Sequence, residues 1–486
     1  MEPNRTNQPK SQIDGRLALK SGVLYLIAEM VTRGISFLST PVFTRLLPPA
    51  VFADAKIYES WVYLIAPVIS LSLYQSMARA KFDFQSRYSR FLSSILFLMT
   101  AISVAVLLLS LPFLGPIEHL LGYGRMLLLL MLGYCLAYNA IQCVQLYDRQ
   151  LLNYRRNIAL TMLGVVPGVL TALALVLYFR NTASDETLLN MRIVGFFLPT
   201  TLVGFALIAY FLVKERSFAS REFWQYGVKY SVPLMATAVA SQVFFQSGNI
   251  FVRNLVGADA AAVVAVAMTV GYIMDILIHA LDNAWKPWMF EQLNAGGADK
   301  VKRFWKLLFL GTAILVLVLT IFAPELTLFL GGRQYMDSIP LICPILCASL
   351  ANFLMIGYTS LEQYYKKTKI SGIASIVSAV IDLVLNFVLI RLLGYQAAAY
   401  ALAAAYLTAC LVHYLFVRRF EKQNVLQSGA SFGMILGSFV VCMACTALHQ
   451  FSFLARFGLV LALAVVALIC FRRLIFQLVK TFLRKQ

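Results

Sequence analysis

Residues 90–113 read RFLSSILFLMTAISVAVLLLSLPF, a stretch of 24 residues whose one charged side chain, Arg90, lies at its start. A helix of about 20 predominantly apolar residues crosses the hydrocarbon core of a bilayer. The whole chain has a similar character: 60% of its 486 residues are hydrophobic, 13% are charged, and the mean hydropathy is +0.77. Soluble domains are roughly 45–50% apolar and about 25% charged. The composition therefore excludes an ordinary soluble enzyme and predicts a polytopic membrane protein.

The same kind of stretch occurs fourteen times, which predicts an all-α bundle of about fourteen membrane spans with no soluble domain between them. The first stretch follows a polar tail and is too long for a signal-peptide core, so we expect it to remain as an anchor. The predicted spans are 17–43, 55–78, 90–113, 126–147, 157–178, 193–213, 230–252, 260–283, 304–330, 339–361, 370–390, 396–417, 430–448 and 454–471.

Lysine and arginine are distributed unequally over the two sets of alternating loops. One set, which includes both chain ends, holds 31 of the 41 basic residues, and the other holds 9. Cytoplasmic loops retain Lys and Arg, so both termini are predicted to be cytoplasmic. This topology accounts for the net charge of +19, and nucleic acid is not predicted as a partner.

The spans divide into two comparable halves, as in transporters built from parallel repeats related by an axis along the membrane normal. We predict an N-terminal lobe at residues 1–213, a cytoplasmic linker at 214–229 and a C-terminal lobe at 230–420. Residues 421–486 would add two peripheral helices and a basic cytoplasmic tail.

Charged and amide side chains inside the spans mark the candidate site, because a charge at the bilayer centre costs at least ~2.5–3.5 kcal/mol without a partner or water. Two spans carry polar stripes at helical spacing, the first through Glu29 and Arg33 and the eighth through Asp275 and residues after it. The predicted substrate-binding residues are Glu29, Arg33, Glu59, Gln242, Gln246, Asn249, Asp275, His279, Asp282 and Lys286.

A structural interpretation is open for each of these groups. Glu29 and Arg33 could be a structural ion pair, the amides could be interhelical hydrogen bonds, and Lys286 could snorkel to the interface. For Asp382 and Asn386 the structural interpretation is favoured. The two stripes together favour a hydrophilic cavity between the lobes.

Other chemistry is not predicted. The eight cysteines all lie in apolar runs, and the histidines lack the spacing of metal ligands. No Gly-rich phosphate loop is present. The sequence thus predicts no metal, no cofactor and no enzymatic activity.

Several stretches resemble the polysaccharide transporter family, the O-antigen flippases of the multidrug/oligosaccharidyl-lipid/polysaccharide exporter superfamily. They are PVFTRLLP at 41–48, YSVPL at 230–234, ALDNAWKPW at 280–288, KKTK at 366–369 and LIRLLG at 389–394. The resemblance covers about residues 17–420.

This resemblance implies a two-lobed transporter in a bacterial inner membrane. It would move a polyprenyl-diphosphate-linked oligosaccharide, an O-antigen or other exopolysaccharide repeat unit, from the cytoplasmic to the periplasmic leaflet, while the polyprenyl tail stays among membrane lipids. A polysaccharide polymerase and a chain-length regulator are the protein partners it implies.

The residues suggest how such a substrate would be bound. The planar fork of Arg33 suits phosphate oxygens, Glu29 would hold it, and the other polar residues would face sugar hydroxyls. Two alternatives stay open. One is a proton- or sodium-coupled multidrug exporter of the same superfamily. The other is a membrane-embedded polymerase or acyltransferase, which would need a sizeable external loop or an inward His/Asp pair for proton transfer.

Overall fold

The computed structural model describes residues 15–462, except for the side chains of residues 15–23, 26, 29 and 368–371. The described chain is helical throughout, with no β-strand. The helices are α1 Gly15–Leu46, α2 Pro49–Ile69, α3 Met77–Phe84, α4 Tyr88–Ser110, α5 Leu114–Leu121, α6 Arg125–Gln150, α7 Tyr154–Leu163, α8 Val166–Phe179, α9 Asp185–Glu215, α10 Arg221–Leu255, α11 Ala258–Asn294, α12 Ala298–Ile321, α13 Ala323–Leu330, α14 Ile339–Tyr364, α15 Thr368–Leu393, α16 Ala397–Val417 and α17 Ser428–Cys445.

The predicted all-α membrane fold is confirmed. Each of the first thirteen predicted spans corresponds to a helix or a pair of consecutive helices, and the fourteenth begins with the short apolar helix Phe453–Ala462 at the end of the described range. By length and composition, ten helical segments of that range are apolar enough to cross a membrane. The helices α2 and α10 are also long, but they carry charged or amide side chains within their apolar stretches.

The second span ends earlier than the sequence predicts. Span 55–78 was expected, but α2 ends at Ile69, and Leu71 and Ser72 take left-handed backbone conformations with φ of 50° and 49°. A short 3₁₀ helix, Leu73–Ser76, follows before α3. The left-handed conformation is unfavourable for residues that have a Cβ. Packing against neighbouring helices therefore has to stabilise this turn.

The linker predicted at 214–229 is largely helical. The helix α9 continues to Glu215, α10 begins at Arg221, and only residues 216–220 separate them. The first turns of α10 pack on the N-terminal helices: Trp224 donates its indole N–H to the Ser94 carbonyl at 3.2 Å, and Arg87 pairs with Glu222 at 2.9 Å. We call α1–α9 the N-terminal group of helices and α10–α17 the C-terminal group. The C-terminal group therefore contacts the N-terminal group through its first helix, α10.

The two groups of helices also meet at the opposite end of the bundle, where α1 turns into α2. We call this the closed end, defined by residues 44–54 of the N-terminal group and 328–335 of the C-terminal group. The Thr44 hydroxyl donates to the Leu330 carbonyl at 2.5 Å, and Gln334 donates to the Thr44 carbonyl at 3.0 Å. Asp54 of α2 forms an ion pair with Arg253 of α10. The basic-residue count predicts that this end faces the periplasm.

Candidate functional site

An ion pair joins the two groups of helices near the middle of the bundle. Arg33, halfway along α1, donates through Nη1 to the Asp275 carboxylate of α11 at 2.9 Å. Asp275 is 8% exposed, whereas the Arg33 side chain retains 34% of its accessible surface. Arg33 thus has an anionic partner across the contact between α1 and α11, and part of its side chain remains accessible.

Three further residues of the α11 stripe, His279, Asp282 and Lys286, follow Asp275 at helical spacing. His279 is half-exposed, and its Nε2 lies 3.4 Å from the second Asp275 oxygen. One turn on, the Asp282 carboxylate pairs with Lys286 at 3.1 Å and accepts a hydrogen bond from Ser360 at 3.3 Å. Polar and charged side chains therefore follow one face of α11 from the Arg33–Asp275 pair toward the C-terminal end of the helix.

Glu59 belongs to a separate buried cluster within the N-terminal helices. Its carboxylate contacts Lys56 at 2.8 Å and Arg192 of α9 at 3.1 Å. The Arg192 guanidinium lies between aromatic rings, 4.1 Å from the Phe43 centroid and 4.7 Å from that of Phe196. The predicted span 193–213 begins after Arg192, whereas α9 begins at Asp185 and includes it, and the Arg192 side chain is 4% exposed.

The predicted amides of α10 differ in their surroundings. Gln246 is buried and hydrogen-bonds the Tyr272 hydroxyl, Asn249 is buried, and Gln242 is partly exposed. Beside Asp275 and Tyr272 lies an enclosed cavity of about 20 Å³, which is room for one water. In this conformation the centre of the bundle is polar but narrow.

Asp382 and Asn386 lie apart from this centre, on α15. Both are fully buried, and Ser247 of α10 donates to the Asp382 carboxylate at 2.6 Å. Asn386 donates to the other Asp382 oxygen at 3.0 Å. These bonds tie α10 to α15, as the structural interpretation predicted.

Several tyrosines contact one another in α2 and α6, and one lies beside Asp275 in α11; the sequence analysis did not select them. Tyr63 of α2 contacts Tyr138 of α6 with centroids 6.0 Å apart, and Tyr138 stacks on Tyr134 at 5.9 Å. From the other group of helices, Tyr272 stacks on Phe245 at 6.3 Å and is 41% exposed. Aromatic residues at helical spacing look like core in a sequence, so only the fold shows that Tyr272 and Phe245 line the cavity beside Asp275.

Glu29 lies in α1, but its side chain is outside the described residues. Within the described range, no group of three or more His, Cys, Asp or Glu side chains is arranged to hold a metal ion. The residues of this site instead supply the Arg33 guanidinium, the His279 imidazole and several hydroxyls. Such groups bind phosphate and hydroxyl oxygens.

The family model described as "Polysaccharide biosynthesis protein" matches residues 18–293, more than half of the chain. The chain belongs to the polysaccharide biosynthesis protein family. This membership confirms the resemblance found in the sequence motifs. A curated relative of this family member, an uncharacterised membrane protein of Haemophilus influenzae, is 24% identical over 379 residues, which are 75% of the chain and 88% of the relative.

Two solved structures show the fold of this polysaccharide biosynthesis protein. The lipid II flippase MurJ in an inward closed conformation gives a TM-score of 0.65 at 15% identity, covering 93% of this chain and 100% of MurJ. An inward-facing multidrug resistance MATE family transporter of the MOP superfamily gives 0.61 at 15% identity, covering 84% and 99%. At such identities the likeness establishes the fold alone, which this chain shares with both transporters.

Proposed function

We propose that this protein is a flippase that moves a polyprenyl-diphosphate-linked oligosaccharide from the cytoplasmic to the periplasmic leaflet of a bacterial inner membrane. The observation that carries the proposal is the Arg33–Asp275 ion pair, which is central, joins the two lobes and leaves part of the Arg33 side chain accessible. The family description and the likeness to a flippase of a lipid-linked substrate support it. The substrate would be an O-antigen or related exopolysaccharide repeat unit.

The physical problem is to carry a polar head through about 30 Å of hydrocarbon. A diphosphate cannot enter it without charge-assisted hydrogen bonds. Arg33 supplies them, and it gives up its bond to Asp275 when phosphate oxygens take the place of that carboxylate. His279, which faces the same carboxylate at 3.4 Å, is positioned to follow as a second donor.

This exchange of partners couples binding to movement. Without substrate, the Arg33–Asp275 bond holds α1 against α11. A diphosphate on Arg33 removes that link and weakens the contact between the lobes in the middle of the membrane. The contacts of the closed end can then separate, and the substrate leaves toward the periplasm by alternating access.

The test is Arg33→Ala in cells that make the lipid-linked glycan, with Arg180→Ala as the matched control, since Arg180 is exposed in the short α8–α9 turn. We expect Arg33→Ala to accumulate the glycan lipid in the cytoplasmic leaflet and the control to behave as wild type. Arg33→Lys keeps the charge but loses the fork, so export should fall only in part.

The same experiment separates the other candidate functions. A shortened polymer outside the cell, with no build-up in the cytoplasmic leaflet, would indicate a polymerase. Unchanged glycan together with altered drug sensitivity would indicate a multidrug exporter. Either result rejects the flippase proposal.

A further inference from the structure

A groove of about 420 Å³ opens between the lobes on the side away from the closed end. Tyr74 and Gln75, in the 3₁₀ helix after α2, form one wall, and Tyr230, Thr237 and Ser241 of α10 form the other. A groove of this size is within the range of small-molecule sites. The basic-residue count predicts that it faces the cytoplasm.

The lining of the groove contains no Asp, Glu, Lys, Arg or His side chain. It does contain hydrogen-bonding groups with free capacity. Within the described range, the Gln75 carboxamide and the Tyr74 and Tyr230 hydroxyls make no hydrogen bond to another side chain or to the backbone. The Thr237 and Ser241 hydroxyls donate to carbonyls of their own helix at 2.7 and 3.0 Å, and their oxygens can still accept. Such a surface suits a ligand that is polar and uncharged.

Both walls are fixed in place. The Tyr74 wall follows the two left-handed residues Leu71 and Ser72, a conformation that persists only where the surroundings impose it. Ser231 of α10 donates to the Leu73 carbonyl at 3.3 Å, which links the two walls directly. The two tyrosines are therefore held by backbone contacts that do not depend on a ligand.

The groove leads to the charged centre along aromatic side chains. One turn after Ser241, α10 carries Phe245, whose ring stacks on Tyr272 with centroids 6.3 Å apart. Phe245 and Tyr272 both line the small cavity beside Asp275. A ligand held by Arg33 could extend over these rings into the groove.

We propose that this groove binds the uncharged sugar units of the lipid-linked oligosaccharide while the diphosphate occupies Arg33. Pyranose rings have apolar faces that pack on aromatic rings and a rim of hydroxyls that pair with amides and hydroxyls. The inference rests on the proposed function and extends it: Tyr74, Gln75 and Tyr230 determine which glycan is accepted.

The test measures binding to the purified full-length protein by calorimetry with two probes. One is citronellyl diphosphate, and the other is citronellyl diphosphate that carries one N-acetylglucosamine. Tyr74→Ala and Tyr230→Ala should each weaken binding of the sugar-bearing probe by ~3–10-fold, the effect of one aromatic contact, and leave the sugar-free probe unchanged. Tyr74→Phe keeps the ring and should lose less. Tyr178→Ala, at an 80% exposed tyrosine outside the groove, is the control.

The outcomes separate this inference from the proposed function. Arg33→Ala should weaken both probes, and a variant that binds both normally would overturn the phosphate role. The groove is not a sugar site if the tyrosine variants weaken both probes equally or neither, or if wild type fails to prefer the sugar-bearing probe. Thermal unfolding of each variant shows whether a loss of binding results from a loss of folding. Gln75→Ala then repeats the comparison of the two probes with the removal of a smaller side chain.

Discussion

The most deeply buried pair of titratable side chains in the described chain is Glu362 of α14 and His413 of α16. The His413 Nδ1 lies 2.8 Å from a Glu362 oxygen, and neither side chain has accessible surface. The second Glu362 oxygen and the His413 Nε2 have no hydrogen-bond partner within the described residues. Buried groups of this kind depend on each other, because each is costly alone.

Removing one partner should therefore destabilise the protein strongly. We expect His413→Ala to lower the free energy of unfolding by ~3–5 kcal/mol, because Glu362 is left in an apolar environment. The double variant Glu362→Leu/His413→Leu should recover most of this loss. Thermal unfolding in detergent measures both. If the double variant unfolds at as low a temperature as His413→Ala, the loss of stability comes from lost packing volume and not from an unpaired Glu362.

The partners of single residues were only partly predictable. The sequence identifies Arg33 and Asp275 as unusual, since both interrupt apolar spans, but local spacing suggests partners only on the same helix. Asp275 lies 242 positions from Arg33, and no single-sequence pattern pairs residues at that distance. The tyrosines were missed for a different reason, since an aromatic ring suits a core and a cavity wall equally.

At the scale of elements, helices were predictable and their interruptions were not. Apolar runs located every described span, because a bilayer requires a helix of known length. Span 157–178, however, is two helices, α7 and α8, separated before Pro167. Span 304–330 is likewise divided into α12 and α13, before Pro324. Proline at the start of the second helix is compatible with both breaks, but hydropathy alone does not show which prolines interrupt a span.

The closed end should open when its contact between α2 and α10 is weakened. Asp54 and Arg253 are 25% and 37% exposed, so their pair is worth up to ~1 kcal/mol. Asp54→Asn should raise the population with a separated closed end by ~2–5-fold. Spin labels at positions 50 and 337, in a cysteine-free background, report this as a longer distance between the labels.

A charge exchange provides the control for that measurement. Asp54→Arg/Arg253→Asp restores an ion pair of opposite polarity and should return the distance distribution toward wild type. If Asp54→Asn leaves the distances unchanged, the pair does not contribute to closure.

At the scale of the whole molecule, the two groups of helices touch at the closed end and at the first turns of α10, with the Arg33–Asp275 pair between them. The proposed route of the substrate passes the charged centre and the groove. A diphosphate-linked substrate on this route carries about two negative charges outward. An inside-negative potential of 100 mV favours that movement by ~4.6 kcal/mol.

Membrane voltage alone should therefore favour export. We expect translocation to slow severalfold when the potential is collapsed with valinomycin and potassium at constant pH. A rate that responds to pH but not to voltage would instead indicate that protons drive the cycle.

Translocation in proteoliposomes tests the flippase assignment most directly. The purified protein would be reconstituted with a fluorescent polyprenyl-diphosphate-linked oligosaccharide, and the fraction of this lipid that reaches the opposite leaflet would be followed by its accessibility to a membrane-impermeant quencher. We predict rapid exchange with wild type and Arg180→Ala, and little above the protein-free rate with Arg33→Ala. Wild-type vesicles that exchange the lipid no faster than protein-free vesicles would contradict the account.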